Sequence, residues 1–204
     1  MKIVLVAVPG GGKTTIMNMV KSLVPDIKIV NFGDVMLEIA KERHGITDRD
    51  AMRKVLSINE YRQIQLDAAR KIGEIKGDVI IDTHVTIKMK GGYYPGLPFD
   101  VVRLMKPDMI TLLEFDPHDI IERRMKDITS TLQKRTGRDI ETPEDIELQQ
   151  EMNRYFAAAA ANVAECVVRI INLRFKQSRP FEQAEKAAQI IAEIIFTERS
   201  SFKY

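Results

Sequence analysis

The chain has 204 residues, of which 45% are hydrophobic and 29% charged, and this composition is typical of one globular domain with a substantial core. Its formal net charge of +2 is too small to indicate a nucleic-acid-binding protein, and its single cysteine, Cys166, excludes an internal disulfide framework. No apolar run reaches membrane-spanning length, and no charged leader precedes the first apolar segment. We therefore expect a soluble, cytoplasmic protein that has neither a nucleic acid nor a membrane as its partner.

A glycine-rich segment separates the first predicted strand, Ile3–Val6, from the first predicted helix, Ile16–Leu23. Its glycines let successive backbone N–H groups converge on phosphate oxygens, and the positive end of the helix dipole adds to the attraction. In this arrangement Lys13 reaches the β and γ phosphates of a nucleoside triphosphate, and the Thr14 hydroxyl holds Mg²⁺. The predicted phosphate-binding segment consists of Ala7, Val8, Pro9, Gly10, Gly11, Gly12, Lys13, Thr14 and Thr15.

One position of this segment departs from the usual G-x-x-x-x-G-K-S/T pattern. Ala7 occupies the place of the first glycine and adds one methyl group where the strand enters the loop. The alternative interpretation is a glycine-rich turn that binds nothing. That alternative does not account for Lys13 and Thr14 directly after Gly12 in a strand–loop–helix context.

Four further elements are predicted before residue 78. They are a strand over Ile27–Phe32, a helix capped by Asp34 and ended by Gly45, a short helix capped by Asp48, and a helix over 59–75. Arg53 lies in the short helix, where it is either a surface cation or a phosphate contact.

An almost wholly apolar strand, Val79–Asp82, ends in an acidic residue. Ligands of an open parallel sheet bind at the carboxyl ends of the strands, so Asp82 is expected to lie near Lys13 and Thr14. A carboxylate at this place holds Mg²⁺ directly or through water. We therefore predict that Thr14 and Asp82 form the metal site.

The segment 83–98 is rich in glycine, tyrosine and proline, which indicates an ordered loop that walls a pocket. His84, near its start, is a candidate catalytic base. A structural, hydrogen-bonded histidine is the alternative, and we favour it because phosphoryl transfer to a phosphate acceptor needs no base.

The remaining elements complete an alternation of strands and helices. They are a strand over Asp108–Glu114, a helix beginning at Asp116, a helix that restarts at Thr142 and runs to Ala164, a strand over Cys166–Asn172 and a helix over Pro180–Phe196. Such an alternation predicts a five-stranded parallel sheet with helices on both faces. With the phosphate-binding segment, the fold class is α/β, a three-layer P-loop NTPase fold in a single domain over 1–204.

A segment between the fourth and fifth predicted strands, 127–142, is polar, lacks helical periodicity and is bracketed by two capped helices. This pattern favours a hinged lid over a plain solvated surface. Arginines carried by a closing lid would neutralise the charge of the transferred phosphoryl group and exclude water. The basic residues of this region are Arg123, Arg124, Lys134, Arg135, Arg138 and Arg154, and we expect Arg124, Arg135 and Arg138 to act with Lys13 in catalysis.

Taken together, these motifs resemble those of the archaeal-type adenylate kinases over nearly the whole chain. The resemblance rests on V-P-G-G-G-K-T-T at Val8–Thr15, N-F-G-D-V-M at Asn31–Met36, D-R-D-A-M-R-K at Asp48–Lys54, D-T-H at Asp82–His84, G-Y-Y-P-G-L-P at Gly92–Pro98, and the arginine pair at 123–124. Two features differ from the family pattern. One is Ala7, and the other is the lid sequence T-S-T-L-Q-K-R-T-G-R-D at Thr129–Asp139, where the family tends to show a compact T-R-x-R-D.

This resemblance implies reversible transfer of the ATP γ-phosphate to AMP, with Mg²⁺ as the cofactor of ATP. It implies a monophosphate-binding region at about 31–75, and it assigns the AMP contacts to Asn31, Phe32, Gly33, Arg53 and Lys88. Archaeal members of the family are commonly homotrimers, so the resemblance also implies a trimer.

Three other functions remain open at this point. The nearest is a kinase for another nucleoside monophosphate, such as CMP or UMP, because base choice depends on a few pocket contacts. A GTP-binding switch would need an N/T-K-x-D segment, and Met105–Asp108 lacks its amide or hydroxyl partner. An RNA-binding accessory protein would use the basic lid, but the near-neutral charge argues against it.

Overall fold

The computed structural model describes residues 1–130 and 141–201, apart from the side chains of residues 53, 127–130, 200 and 201. Its centre is a parallel sheet of five strands in the order β2-β3-β1-β6-β7. The strands of this sheet are β1 (Lys2–Ala7), β2 (Lys28–Asn31), β3 (Val79–Asp82), β6 (Met109–Phe115) and β7 (Val167–Leu173). The five-stranded parallel sheet predicted from the sequence is confirmed.

Eight helices are described, and they cover both faces of the sheet. They are α1 (Lys13–Leu23), α2 (Phe32–His44), α3 (Arg49–Val55), α4 (Ile58–Gly73), α5 (Phe99–Met105), α6 (Pro117–Ser130), α7 (Pro143–Ala164) and α8 (Glu182–Ser201). Within the described ranges, no helix is both long and apolar enough to cross a membrane.

The side chains of β1 alternate between two apolar cores, one on each face of the sheet. Val4 and Val6 pack with buried residues of α2, α4, α5 and α7. Ile3, Leu5 and Ala7 pack on the opposite face with buried residues of α1 and α8. This period of two places the central strand in a fully buried, three-layer sandwich, which explains why β1 is a continuous apolar run.

The start of α2 differs from the prediction. The sequence favoured a strand through Phe32 with Asp34 as the helix cap, whereas β2 ends at Asn31 and the helix begins at Phe32. The Asn31 side chain is the cap, because its oxygen accepts a hydrogen bond from the Asp34 backbone N–H at 3.1 Å. The end of the helix agrees with the prediction, since Gly45 adopts a left-handed conformation with φ of 67°.

Three short elements were not predicted. The segment expected to be a loop contains an antiparallel hairpin of β4 (Thr86–Met89) and β5 (Gly92–Pro95). The short helix α5 follows it, and its residues Val101, Val102 and Met105 are buried in the core. Strand β3 and helix α3 are equally short, but β4 and β5 lack the apolar run of β3, and α5 lacks the side-chain cap of α3.

The segment predicted to be a lid begins with a helical backbone, because α6 continues to Ser130. Residues 131–140, which include most of the lid, lie outside the described ranges. The restart of the chain at α7 agrees with the prediction, since Thr142 and Asp145 exchange hydrogen bonds in a capping box. The lid itself stays a prediction.

Asp67 on α4 joins this helix to α2, and this carboxylate leads to a prediction about stability. It accepts hydrogen bonds from Arg43 of α2 at 2.6 Å and from Arg70 at 2.8 Å. Burial raises the pKa of Asp67, but these hydrogen bonds and that of Gln63 outweigh it, so the pKa lies below its usual range. Stability from such a group is present above the unfolded pKa and is lost as pH falls toward the folded one.

We expect Asp67→Asn to lower the free energy of unfolding by about 1 kcal/mol at pH 7, because both arginines are about half exposed. The difference from the unmodified protein should shrink below about pH 4, where the carboxylate becomes protonated in the unfolded chain. Urea unfolding at pH 7 and at pH 3.5 measures this difference in unfolding free energy. The control is Asp100→Asn, a change at an exposed residue. An equal loss of unfolding free energy in Asp67→Asn at both pH values would contradict a stabilising role of the Asp67 carboxylate.

Candidate active site

The loop between β1 and α1 folds into a nest of backbone N–H groups. Gly10 and Gly12 have φ of 88° and 73°, a left-handed region that strongly favours glycine. The Gly11 N–H donates to the Val8 carbonyl at 3.0 Å, which closes the turn. The first backbone hydrogen bond within α1 runs from Ile16 to Gly12, so the N–H groups of the first turn have no partner within the helix. They lie at the positive end of a helix dipole and suit an anion.

Ala7 packs directly against this loop. It is 2% exposed, and a Cβ added at Gly11 would lie 3.0 Å from the Ala7 methyl and 3.0 Å from the Phe115 ring. The loop therefore accommodates Ala7 because Gly11 leaves the required space. The departure from the usual glycine pattern is compensated within the same loop.

Lys13 lies at the carboxyl edge of the sheet, where the sequence predicted it. Its ammonium group is 2.5 Å from Asp82 Oδ1 and donates to the Thr83 carbonyl at 3.0 Å. Both side chains are largely buried, at 14% and 17% exposed. The structure thus brings Lys13 together with Asp82, the acid that ends β3. Thr14 directly follows Lys13 in the chain. Carboxylate and hydroxyl oxygens are the ligands that Mg²⁺ prefers, so the side chains of Asp82 and Thr14 fit that ion.

Asn31 connects Asp82 to the neighbouring strand and to α3. Its amide Nδ2 donates to Asp82 Oδ2 at 2.8 Å, and its Oδ1 accepts from Arg49 at 2.9 Å. Arg49 also forms an ion pair with Asp34. A Cβ added at Gly33 would lie 3.1 Å from the Arg49 guanidinium, so the glycine allows Arg49 to lie close to the backbone.

Arg124 lies across the phosphate loop. Its Nε donates to the Pro9 carbonyl at 2.8 Å, and its Nη1 forms an ion pair with Glu141. Gly10 permits this contact, because a Cβ there would lie 2.9 Å from Arg124 Cγ. The remaining nitrogen, Nη2, is buried and has no hydrogen-bond partner among the residues that the structure describes. A buried guanidinium nitrogen beside an anion nest points to an anionic ligand.

Glu141 also contacts Lys88 at 3.0 Å, so one carboxylate joins a cation of β4 to the arginine on the phosphate loop. Burial raises the pKa of Glu141, but the hydrogen bond from Lys88 and the charge of Arg124 outweigh it and lower the pKa. The hydrogen bond to Glu141 raises the pKa of Lys88. Both groups are therefore charged at neutral pH.

A cleft of about 540 Å³ opens from the phosphate loop. One wall contains Arg123, whose guanidinium lies 4.9 Å from the centre of the Phe115 ring and donates to Gln183. Gln183 is 1% exposed and donates to the Phe175 carbonyl at 2.6 Å, which ties the loop before α8 to this wall. The cleft is lined by the phosphate-binding segment and by Ile16, His84, Phe115, Arg123, Gln177, Phe181, Gln183 and Ala184.

The other predicted site residues have different positions. Phe32 is 5% exposed and packs in the core, so its side chain does not line the cleft. Arg53 belongs to α3, but its side chain lies outside the described part of the structure, as do Arg135 and Arg138. Arg154, which the sequence grouped with the lid arginines, instead binds the buried carboxylate of Glu114 through two hydrogen bonds.

Several residues that line the cleft or contact other predicted site residues were missed by sequence reasoning. Arg49, Glu141 and Gln183 form contacts that join separate elements, and no local pattern marks them. A partial signal existed for residues 177–184, because this segment follows the carboxyl end of β7, the edge at which ligands of parallel sheets bind.

The segment Met105–Asp108 lies at the opposite end of the sheet from the phosphate loop. It precedes β6, whereas the loop follows the parallel strand β1, and the Asp108 carboxylate accepts from the Lys2 backbone N–H at 2.6 Å. The prediction of a turn into a strand is confirmed, and Asp108 does not face the cleft as a base-reading residue would.

Comparisons with known proteins show the family to which the chain belongs. A family model described as "AAA domain" matches residues 6–147. The adenylate kinase of Pyrobaculum aerophilum is 56% identical over 200 residues, which cover 98% of each chain, and that of Methanothermobacter thermautotrophicus is 42% identical over 84% of this chain and 90% of its own. The crystal structure of shikimate kinase from Bacteroides thetaiotaomicron has a TM-score of 0.58 with 17% identity, covering 96% and 98% of the two chains, a likeness of fold alone. The chain thus belongs to the adenylate kinase family of P-loop phosphotransferases.

Proposed function

We propose that the protein transfers the γ-phosphoryl group of ATP reversibly to AMP and so forms two molecules of ADP. The observation that supports this reaction most directly is the nest of N–H groups beside the Lys13–Asp82 pair, which matches a magnesium-bound triphosphate in charge and in hydrogen bonding. Membership of the adenylate kinase family supports AMP as the acceptor.

The ATP side of the site is the phosphate-binding segment together with the cleft beside it. Residues 7–15 would hold the phosphates, and Lys13 would exchange part of its contact with Asp82 for the β and γ phosphates. The flat guanidinium of Arg123 over Phe115 offers a stacking surface for a purine base, and Phe181 lines the same cleft. These features support a nucleoside triphosphate rather than inorganic polyphosphate.

Thr14 and Asp82 are the residues that would hold Mg²⁺. The ion, when bound, neutralises charge on the transferred phosphoryl group. Asp82 is held in place by Lys13 on one oxygen and by Asn31 on the other, so its carboxylate needs little reorganisation to serve this ion.

The AMP side would be formed by the region of about 31–75 and by Lys88 of β4. Gly33 leaves room for Arg49 near the end of β2, which supports an anion contact there, and Arg53 follows one turn later on α3. Lys88 already binds a carboxylate, Glu141, and a phosphate group could replace that carboxylate. Arg124, with Arg135 and Arg138 of the proposed lid, would carry the charge of the transferred group.

The resemblance to the archaeal-type adenylate kinases is also the basis of the proposals on oligomeric state and cellular location. Val167 and Ile170 are exposed on β7, an edge strand, which supports association between copies into the proposed trimer. Sedimentation would measure the number of copies. The free thiol of Cys166 supports a cytoplasmic location.

A coupled assay across AMP, GMP, CMP and UMP tests the proposed acceptor. We expect AMP to have the highest kcat/KM, by about 100-fold or more, because a hydrogen-bonded base pocket rejects the wrong base strongly. A bisubstrate analogue that links two adenosines through phosphates should bind more tightly than ATP or AMP alone. A higher kcat/KM with CMP or UMP would show a different monophosphate kinase, and GTP hydrolysis without a phosphorylated acceptor would contradict the kinase.

A further inference from the structure

Every polar atom of the Asn31 side chain makes a contact within the protein. Its Oδ1 accepts from the Asp34 backbone N–H at 3.1 Å and from Arg49 at 2.9 Å. Its Nδ2 donates to Asp82 Oδ2 at 2.8 Å. The amide therefore caps α2, binds α3 and reaches the end of the neighbouring strand β3 at the same time.

These contacts determine which way the amide points. Both partners of Oδ1 are donors, so this atom has to be the oxygen and the amide cannot be turned over. The nitrogen is then directed at Asp82, its neighbour in the register of β2 and β3. The capping of a helix thus fixes a hydrogen-bond donor against the carboxylate at the sheet edge.

The two oxygens of Asp82 have different partners. Oδ1 is paired with Lys13, whereas Oδ2 is held by Asn31. If a triphosphate takes up the ammonium group of Lys13, the contact at Oδ1 would weaken and the contact at Oδ2 would remain. Asn31 is then the group that keeps the carboxylate oriented while the nucleotide is bound.

We infer that Asn31 is a positioning residue that orients the Asp82 carboxylate toward the magnesium ion of the nucleotide. This role rests on the proposed function and goes beyond it, since the family resemblance places Asn31 among the AMP contacts. Oδ1 already accepts two hydrogen bonds and one N–H of Nδ2 is donated to Asp82, so a single N–H remains for a nucleotide. Loss of a positioning role would weaken the effect of Mg²⁺ on ATP binding, whereas loss of an AMP contact would raise the KM for AMP.

The variant Asn31→Asp separates them. An aspartate keeps the oxygen that caps α2 and pairs with Arg49, but it presents a second oxygen instead of an N–H group to Asp82. Calorimetry would measure ATP binding with Mg²⁺ and with EDTA. We expect the ratio of the two affinities to fall about tenfold to 100-fold, because a hydrogen bond to a charged group is lost. The KM for AMP should change less than about threefold.

Two further variants serve as controls. Asn31→Ser keeps a good helix cap without adding a charge and should lower the same ratio, so a folding defect in Asn31→Asp would not prevent the test. Ser57→Ala removes the cap of α4, which lies away from the cleft, and should lower the melting temperature without changing the ratio.

An unchanged affinity ratio in both Asn31 variants, with a normal magnesium response of the unmodified protein, would overturn this role. A selective rise in the KM for AMP would likewise overturn it and assign Asn31 to the nucleotide. If Mg²⁺ does not raise the ATP affinity of the unmodified protein, the proposed metal site itself fails, and the role of Asn31 fails with it.

Discussion

Replacing Lys13 with methionine is expected to reduce kcat/KM for ATP by about 1,000-fold or more. The ammonium group is held at the carboxyl edge of the sheet by Asp82 at 2.5 Å and by the Thr83 carbonyl, so it is preorganised for phosphate oxygens. A cation fixed where negative charge develops contributes several kcal/mol to phosphoryl transfer. The methionine side chain is similar in length and carries no charge, so it isolates the electrostatic effect. A coupled assay with saturating AMP measures the loss.

The fold of this variant should remain intact. Asp82 keeps its hydrogen bond from Asn31 and is 17% exposed, so the loss of its counter-ion should cost about 1 to 2 kcal/mol of unfolding free energy. The matched control is Lys21→Met in the last turn of the same helix, where the lysine is exposed and donates to the Ile27 carbonyl. Retained turnover in the folded Lys13 variant would contradict the proposed mechanism at its centre.

Replacing Arg124 with lysine is expected to lower kcat by about 100-fold to 1,000-fold while preserving the positive charge. The arginine uses Nε for the Pro9 carbonyl and Nη1 for Glu141, which leaves the buried Nη2 for a phosphate oxygen. A lysine has one nitrogen and cannot make these three contacts together. An arginine that stabilises the transferred phosphoryl group contributes about 1,000-fold or more, and the charge kept by lysine should make the loss smaller.

Steady-state kinetics with both nucleotides varied would separate kcat from KM in the Arg124 variant. If the arginine acts on the transition state, kcat falls and the KM values change little. Arg103→Lys, an exposed position over Phe99, provides the control for a general effect of the substitution. If the variant loses only stability and keeps its kcat, Arg124 has a structural role alone, in which it holds α6 against the loop between β1 and α1.

The elements of the sheet were predictable from the sequence because their signals are local. Strand β1 is an apolar run followed by three glycines, Lys13 and Thr14, and each of these features is visible within 15 residues. The capping box at Thr142 is equally local. The hairpin was missed because its strands contain no apolar run, and α5 was missed because it has no side-chain cap. The start of α2 was predicted three residues too late because Asn31 and Asp34 are both good caps.

What the sequence by itself determined is the phosphate loop, the five parallel strands and the convergence of Lys13 with Asp82. The rule that parallel strands present their carboxyl ends at one edge links these residues without further information. Only the tertiary structure decided which side chains contact each other between elements that are distant in the sequence. Asn31 meets Asp82 across 51 positions, and Arg124 meets Pro9 across 115. Such contacts arise from strand order and helix packing, and no residue pattern within one element encodes the side chain that will lie opposite it.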